Sequence, residues 1–214
     1  MSTPYDERVD ADLTTRGTRR KRFSREVRRE QLIDVADDLF TRHGYSGVTM
    51  EDLRLAAGIS RPVLYDHFPT REAVYLACVE RARRQYNEEL LGGFDPDADP
   101  LAQLRHGAEV FFGTLESHPG RWQFIFGSSA VLPETHADEL AALRFETISA
   151  IEGLLKHVAP DAPALSVKMA AHAISGVGER LGLLWLREPQ LAKHDLIDNY
   201  VDILWNGLGS YIER

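Results

Sequence analysis

The residues best placed to do chemistry are Arg61, Pro62, Val63 and Tyr65, in a short helical stretch that stops at Pro69. At about 100° per residue, Leu64 and Phe68 fall on the same face as Ile59 and point inward. Pro62 and Asp66 then point away from that face, flanked by Val63 and Tyr65. An outer face of proline, valine and tyrosine offers methyl contacts and a polar tip to base edges. It suits a DNA major groove, which admits one α-helix. A plain surface hairpin of two helices has the same local pattern, so the neighbouring elements must decide between them.

Those elements carry clear punctuation. Thr49 is an N-cap candidate with Asp52 three places on, close to a capping box. Gly58 sits where a helix C-terminus requires positive φ. Ser60 can cap the next helix, Ile59 can staple onto Leu64, and Pro62 lies in the first turn, where a missing N–H costs nothing. Two short helices around one glycine form the pattern of a helix-turn-helix. Before them, Ser24 opens a helix whose stripe is Leu32, Ile33, Ala36, Leu39 and Phe40, ending near His43–Gly44. Arg28 and Arg29 near its start are placed for a phosphate contact at a helix end. Thr70 caps a further helix from Arg71 to about Leu91, which is broken by Gly92, Gly93 and the Asp/Pro run at 95–100.

Charge distribution favours nucleic acid over the hairpin alternative. The chain carries −8 overall, yet residues 16–29 hold eight Lys or Arg against the single acid Glu26. A net +7 there leaves −15 for the remainder, the asymmetry of a DNA-binding end and a separate non-DNA end. Residues 1–23 lack apolar periodicity and are expected to be disordered in isolation. Their basic run Arg19, Arg20, Lys21 and Arg22 forms an arm that either tracks phosphates or enters a minor groove.

Other function classes lose support. No His-Glu-x-x-His, Glu-x-x-His or Gly-x-Ser-x-Gly is present, and Gly176-Val177-Gly178 sits in a helical stripe with no strand before it. The eight histidines are scattered, none at metal-pair spacing with a cysteine, so neither metal, cofactor nor enzymatic activity is expected. The polar, acidic first residues argue against a signal peptide, and no apolar run approaches the roughly 18–20 residues of a membrane span. One cysteine, Cys78, rules out an internal disulfide and fits a reducing cytoplasm as a buried thiol.

From 100 onward every segment is helical in pattern. Helices are expected over Pro100–Ser117, Arg121–Phe126, Ala137–Val158, Ala164–Leu186 and Leu191–Ile212. The chain is therefore expected to be all-α, with about nine helices in three parts. These are a basic arm (1–23), a three-helix helix-turn-helix unit (24–71) and a helical body (72–214). Phe111, Phe112, Trp122, Phe126, Phe145 and Trp185, with Arg144 and His172, either line a pocket between helices or belong to the core. Ile174, Val177, Gly178 and Leu181 form one stripe, and Ile197, Tyr200, Val201, Leu204 and Leu208 another. They either pack inside one subunit or face a partner.

Residues 32–75 resemble the DNA-binding domain of the TetR family of bacterial transcriptional regulators. The resemblance is carried by Ala36, Phe40, Gly44, Tyr45, Thr49, Ala57-Gly58-Ile59-Ser60, Leu64-Tyr65, His67-Phe68 and Arg71-Glu72. It implies that Arg61, Pro62, Val63 and Tyr65 approach bases. It further implies that Tyr65, His67 and Arg71 contact phosphates, with Thr49 and Met50 at the groove edge. A homodimer is implied through the last two helices, reading a palindromic double-stranded operator, with a small-molecule effector in the body. The family habit favours a repressor, and the rival is a helical ligand-binding or adaptor module without DNA function. Two departures stand out. Arg54 replaces a usually small residue and must snorkel outward or reach a phosphate, and Asp66, like Glu51, brings negative charge toward DNA.

Overall fold

The computed structural model describes residues 24–95, 97–127 and 137–212. The basic arm Arg19–Arg22 and the side chain of Leu208 lie outside what it describes. All regular structure among the described residues is helical. The helices are α1 (Arg25–His43), α2 (Met50–Ala57), α3 (Arg61–His67), α4 (Arg71–Gly92), α5 (Pro100–Ser117), α6 (Pro119–Trp122), α7 (Ala137–Val158), α8 (Ala164–Arg187) and α9 (Lys193–Ile212). A 3₁₀ turn at Tyr45–Gly47 links α1 to α2, and a π turn at Gln123–Gly127 follows α6.

The first three helices form a small head on the end of α4. Leu32, Ile33, Ala36 and Phe40 of α1 bury against Leu53, Leu64, Phe68, Val74, Tyr75 and Cys78. Arg81 of α4 adds a polar clamp on the rim, reaching Asp34 at 2.5 Å, Asp37 at 3.2 Å and Glu30 at 3.9 Å on α1. Burial raises the Asp37 carboxyl above its ordinary range, and Arg81 opposes that shift.

The body stacks α5 between α4 and α9, with α7 and α8 paired beside them. The π turn joins head to body through its aromatic residues. Phe124 meets Tyr75 edge-on at 5.3 Å, while Phe126 packs against Phe111 at 4.9 Å and Tyr86 at 5.7 Å. Tyr75 in turn contacts Tyr45 and Phe40, so one file of rings runs from the head into the body. At Gly120 any β-carbon would run into the Thr41 side chain, so α6 meets the end of α1 backbone-first.

The element boundaries depart from expectation in two places. The helix expected over 121–126 is split into α6 and the π turn. The last helix starts at Lys193 because Leu191 belongs to the connection, where its carbonyl accepts the Trp185 indole N–H at 2.8 Å.

The proposed dimer stripe is corrected more substantially. Ile197 (6% exposed), Tyr200, Val201 and Leu204 lie inside the subunit's own core, and Gly178 is buried where an added β-carbon would touch Phe111 and Tyr200. Ile174, Val177 and Leu181 are half-buried against that same core. Among the described residues, the large apolar side chains left outside are Leu165, Met169, Leu183, Leu184 and Leu186 of α8 and Ile203 of α9. Both helices are apolar on two sides, and periodicity identified the inner one.

Candidate nucleic-acid interface and internal cavity

The turn between α2 and α3 is built by local chemistry. Thr49 and Asp52 form a reciprocal capping box: the Thr49 hydroxyl accepts from the Asp52 N–H at 3.2 Å, and the Asp52 carboxylate accepts the Thr49 N–H at 2.9 Å. That carboxylate also accepts a hydrogen bond from the Thr49 hydroxyl at 2.6 Å. These bonds hold Asp52 below its ordinary carboxylate value. Gly58 ends α2 in the left-handed region, φ 62° and ψ 36°. Ser60 occupies the N-cap position of α3, although its hydroxyl makes no capping bond. Leu64 and Phe68 are buried, which aims the opposite face of α3 at solvent.

On that outer face Arg61, Pro62, Val63 and Tyr65 are all exposed, with the Arg61 guanidinium 5.8 Å from the Tyr65 ring centroid. These side chains form one patch on one short rod. The flanking residues are more constrained. Thr49 spends its hydroxyl in the capping box, and Met50 is half-buried against the core. His67 is half-buried, and burial lowers its imidazole below the ordinary value despite the nearby Asp66. Arg28 bonds the Gln31 side chain at 3.1 Å, and Arg29 lies over the Phe68 ring.

Arg71 departs from expectation. Its guanidinium donates to the Val48 carbonyl at 3.2 Å and stacks 4.1 Å from the centroid of the Tyr45 ring. Tyr45 itself donates to Glu72 at 2.5 Å. These bonds lock the loop before α2 onto α4, so Arg71 is a structural tie, and any phosphate must share it.

The acidic residues also find partners. Glu51 is engaged by Arg54 through bonds of 2.7–3.0 Å, and Arg54 additionally donates to the Ile59 carbonyl at 3.1 Å. Arg54 therefore neither snorkels away nor waits for a phosphate: it staples the turn itself. Asp66 receives Arg25 of α1, which donates to its carbonyl at 3.1 Å and lies 3.8 Å from its carboxylate. That pairing spans 41 residues, and no local sequence signal announces it.

The body holds a cavity of about 100 Å³, where a single water needs roughly 10–15 Å³. Its lining is mainly apolar: Tyr86 and Leu90 of α4, Phe111 of α5, Phe126 of the π turn, Ile151 of α7 and Tyr200 of α9 are among its walls. Of the expected set, only Phe111 and Phe126 line it. Phe112, Trp122 and Trp185 are spent in packing, Phe112 meeting Trp185 at 6.0 Å and Tyr200 at 5.8 Å. Arg144 pairs with Glu179 at 3.3 Å, while exposed Phe145 stands edge-on to His172 on the outer side of α7 and α8. The lining missed in the sequence is mostly ordinary stripe positions, whose empty side only the three-dimensional packing reveals.

Comparison with known proteins agrees with this arrangement. Residues 32–78 match the family described as bacterial regulatory proteins, tetR family. The chain is 28% identical over 201 residues to the HTH-type transcriptional activator FasR of Mycolicibacterium smegmatis, a match spanning 90% of this chain and 88% of that protein. It is 34% identical over 111 residues to the HTH-type transcriptional regulator EthR of the same organism, about half of each chain (50% and 49%). Among solved structures it superposes on a tetR-family transcriptional regulator from Streptomyces coelicolor with TM-score 0.71 and 25% identity, covering 90% of this chain and 89% of that one.

Proposed function

Because this chain belongs to the tetR family of bacterial regulatory proteins, we propose that it is a dimeric, sequence-specific DNA-binding transcriptional regulator acting in the cytoplasm. The observation that carries the proposal is the exposed Arg61, Pro62, Val63 and Tyr65 patch on a helix whose other face is locked into the head. A helix this short reads only a few base pairs. Two heads set about 34–36 Å apart by a two-fold axis read a palindrome.

The dimer forms through the outward sides of α8 and α9. On α8, Leu165, Met169, Gly176 and Leu183 line up at about 100° per residue; on α9, Ile203 stands beside Gly207. Gly176 and Gly207 have open space around them within the subunit, leaving room for a partner helix to approach.

An apolar small molecule in the cavity acts as effector. Phe126 lines the cavity and Phe124, two residues away, touches the head through Tyr75, so a ligand that shifts the π turn shifts the head. A preference of about 1–3 kcal/mol between the two head spacings suffices for allosteric control. With the operator across a promoter, the chain is a repressor relieved by its effector.

Selection from random-sequence duplex DNA at moderate salt tests the proposal. Enrichment of one palindrome, with affinity falling steeply as salt rises, is expected. A selection that enriches no palindrome refutes it.

A further inference from the structure

The cavity has a polarity that its aromatic walls conceal. Phe94, Pro100, Val158 and Trp205 at one end are half-exposed, whereas Tyr86, Phe111, Thr147 and Tyr200 at the other are buried. Behind the buried end lies Arg83, one helical turn before Tyr86 on α4 and only 2% exposed. Its guanidinium donates to the Thr147 hydroxyl at 3.3 Å and to the Ile125 carbonyl, next to the cavity residue Phe126. Its Nε–H has no partner among the described residues.

A guanidinium carries five N–H donors and a full charge. Among the described residues, no carboxylate stands within ion-pair distance of this one. Glu179, the acid whose charge acts on it most, is held instead by Arg144 at 3.3 Å and by Ser175 at 3.4 Å. Burial lowers the Arg83 pKa to about 10, so the group is still cationic at neutral pH. Buried charges are normally paired, because taking an ion out of water is costly. Among the described residues its acceptors are two neutral oxygens, and one of them, on Thr147, is also cavity wall.

We propose that the buried end of the cavity is an anion-recognition site, in which Arg83 and Thr147 take the carboxylate of an amphipathic organic acid whose apolar tail fills the remainder. A planar carboxylate matches the guanidinium fork and supplies the missing counter-charge. The walls from Leu90 to Phe94 and from Ile151 to Val158 offer the tail only apolar contact apart from a few polar edges such as His106 and Gln103. Arg83 to Gly92, the end of α4, spans nine residues, roughly 13–14 Å at the α-helical rise, which suits an unbranched medium-length chain lying along the helix. The site rests on the cavity being the effector site, and it narrows the effector to acids.

The test measures binding of decanoate, decan-1-ol and methyl decanoate to the full-length protein by calorimetry, with operator binding followed in parallel by fluorescence anisotropy. Decanoate is expected to bind wild-type protein at least tenfold tighter than the alcohol or the ester, a comparison that needs no variant to fold. Arg83→Met should abolish that preference, so that the three ligands bind alike, Arg83→Lys should retain part of it, and Thr147→Val should reduce it. Equal binding of all three ligands overturns the proposal and leaves a purely apolar cavity. Failure of all three to bind overturns it as well. Decanoate binding that leaves operator affinity untouched upholds the anion site and refutes the effector role.

Discussion

Replacing Met169 with serine separates the outer side of α8 from its inner side. Met169 is 62% exposed in the isolated subunit. Full burial of such a side chain contributes about 1.5–3 kcal/mol, so covering what is exposed here contributes about 1–2 kcal/mol per subunit. A two-fold interface uses the residue twice. Met169→Ser should therefore weaken the dimer by about 2–4 kcal/mol, roughly 30- to 1000-fold in dimer Kd. Sedimentation equilibrium over a concentration series reads this directly, and thermal unfolding of the subunit should change little. Ile197→Ala provides the contrast: at 6% exposure its side chain is core, and the substitution should cost about 2–5 kcal/mol of folding stability. An unchanged dimer Kd for Met169→Ser would refute the assignment of this face and send the search for the interface elsewhere on the surface.

Other consequences can be checked on the head. Arg61→Ala and Tyr65→Ala should each weaken specific operator binding by about 1–3 kcal/mol while sparing non-specific duplex, measured by anisotropy against both. Gly58→Ala should destabilise the head by about 1–2 kcal/mol in urea unfolding, wholly through left-handed backbone cost because its surroundings are open, and Gly58→Asn should cost less. Acid should loosen the same region. Arg54 holds Glu51 below its ordinary value, Thr49 does so for Asp52, and the Tyr45 hydroxyl does so for Glu72. The native state then binds fewer protons than the unfolded one, so this stability is complete above the ordinary carboxylate values and is lost as pH falls through the lower native ones. Asp37, raised by burial, has the opposite sign and softens the decline. Melting temperatures that climb steadily from pH 6 to pH 3 would contradict the balance.

The head was legible because its signals are local. The capping box, the glycine at positive φ and the proline in the first turn of α3 each act within a few residues, and each stands where the chain placed it. The body was legible as helices but not as surfaces. On α8, Val167, Ala170 and Ala171 are buried while Leu165 and Met169 are exposed, and hydropathy alone cannot rank two apolar sides of one helix. The cavity failed for a related reason: Phe111 and Phe112 are neighbours of one type, and only packing tells which borders empty space. Long-range ties such as Arg25 to Asp66 leave no trace in spacing. Arg83 did leave one, a charge on the buried side of α4 between Val79 and Tyr86, where an amphipathic stripe should be apolar.

The sealed thiol gives this molecule an experimental convenience. Cys78 is the chain's single cysteine, it is buried with its Sγ 3.9 Å from the Ile33 carbonyl, and burial pushes its pKa well above the ordinary thiol range. Maleimide and oxidants react with thiolate, so the native protein is a silent background for labelling. One cysteine introduced at exposed Leu55 on α2 would then carry a spin label or dye on each head and nowhere else. The distance between the two labels in solution, with and without operator or acid, would report the separation of the heads as a ruler rather than as an affinity.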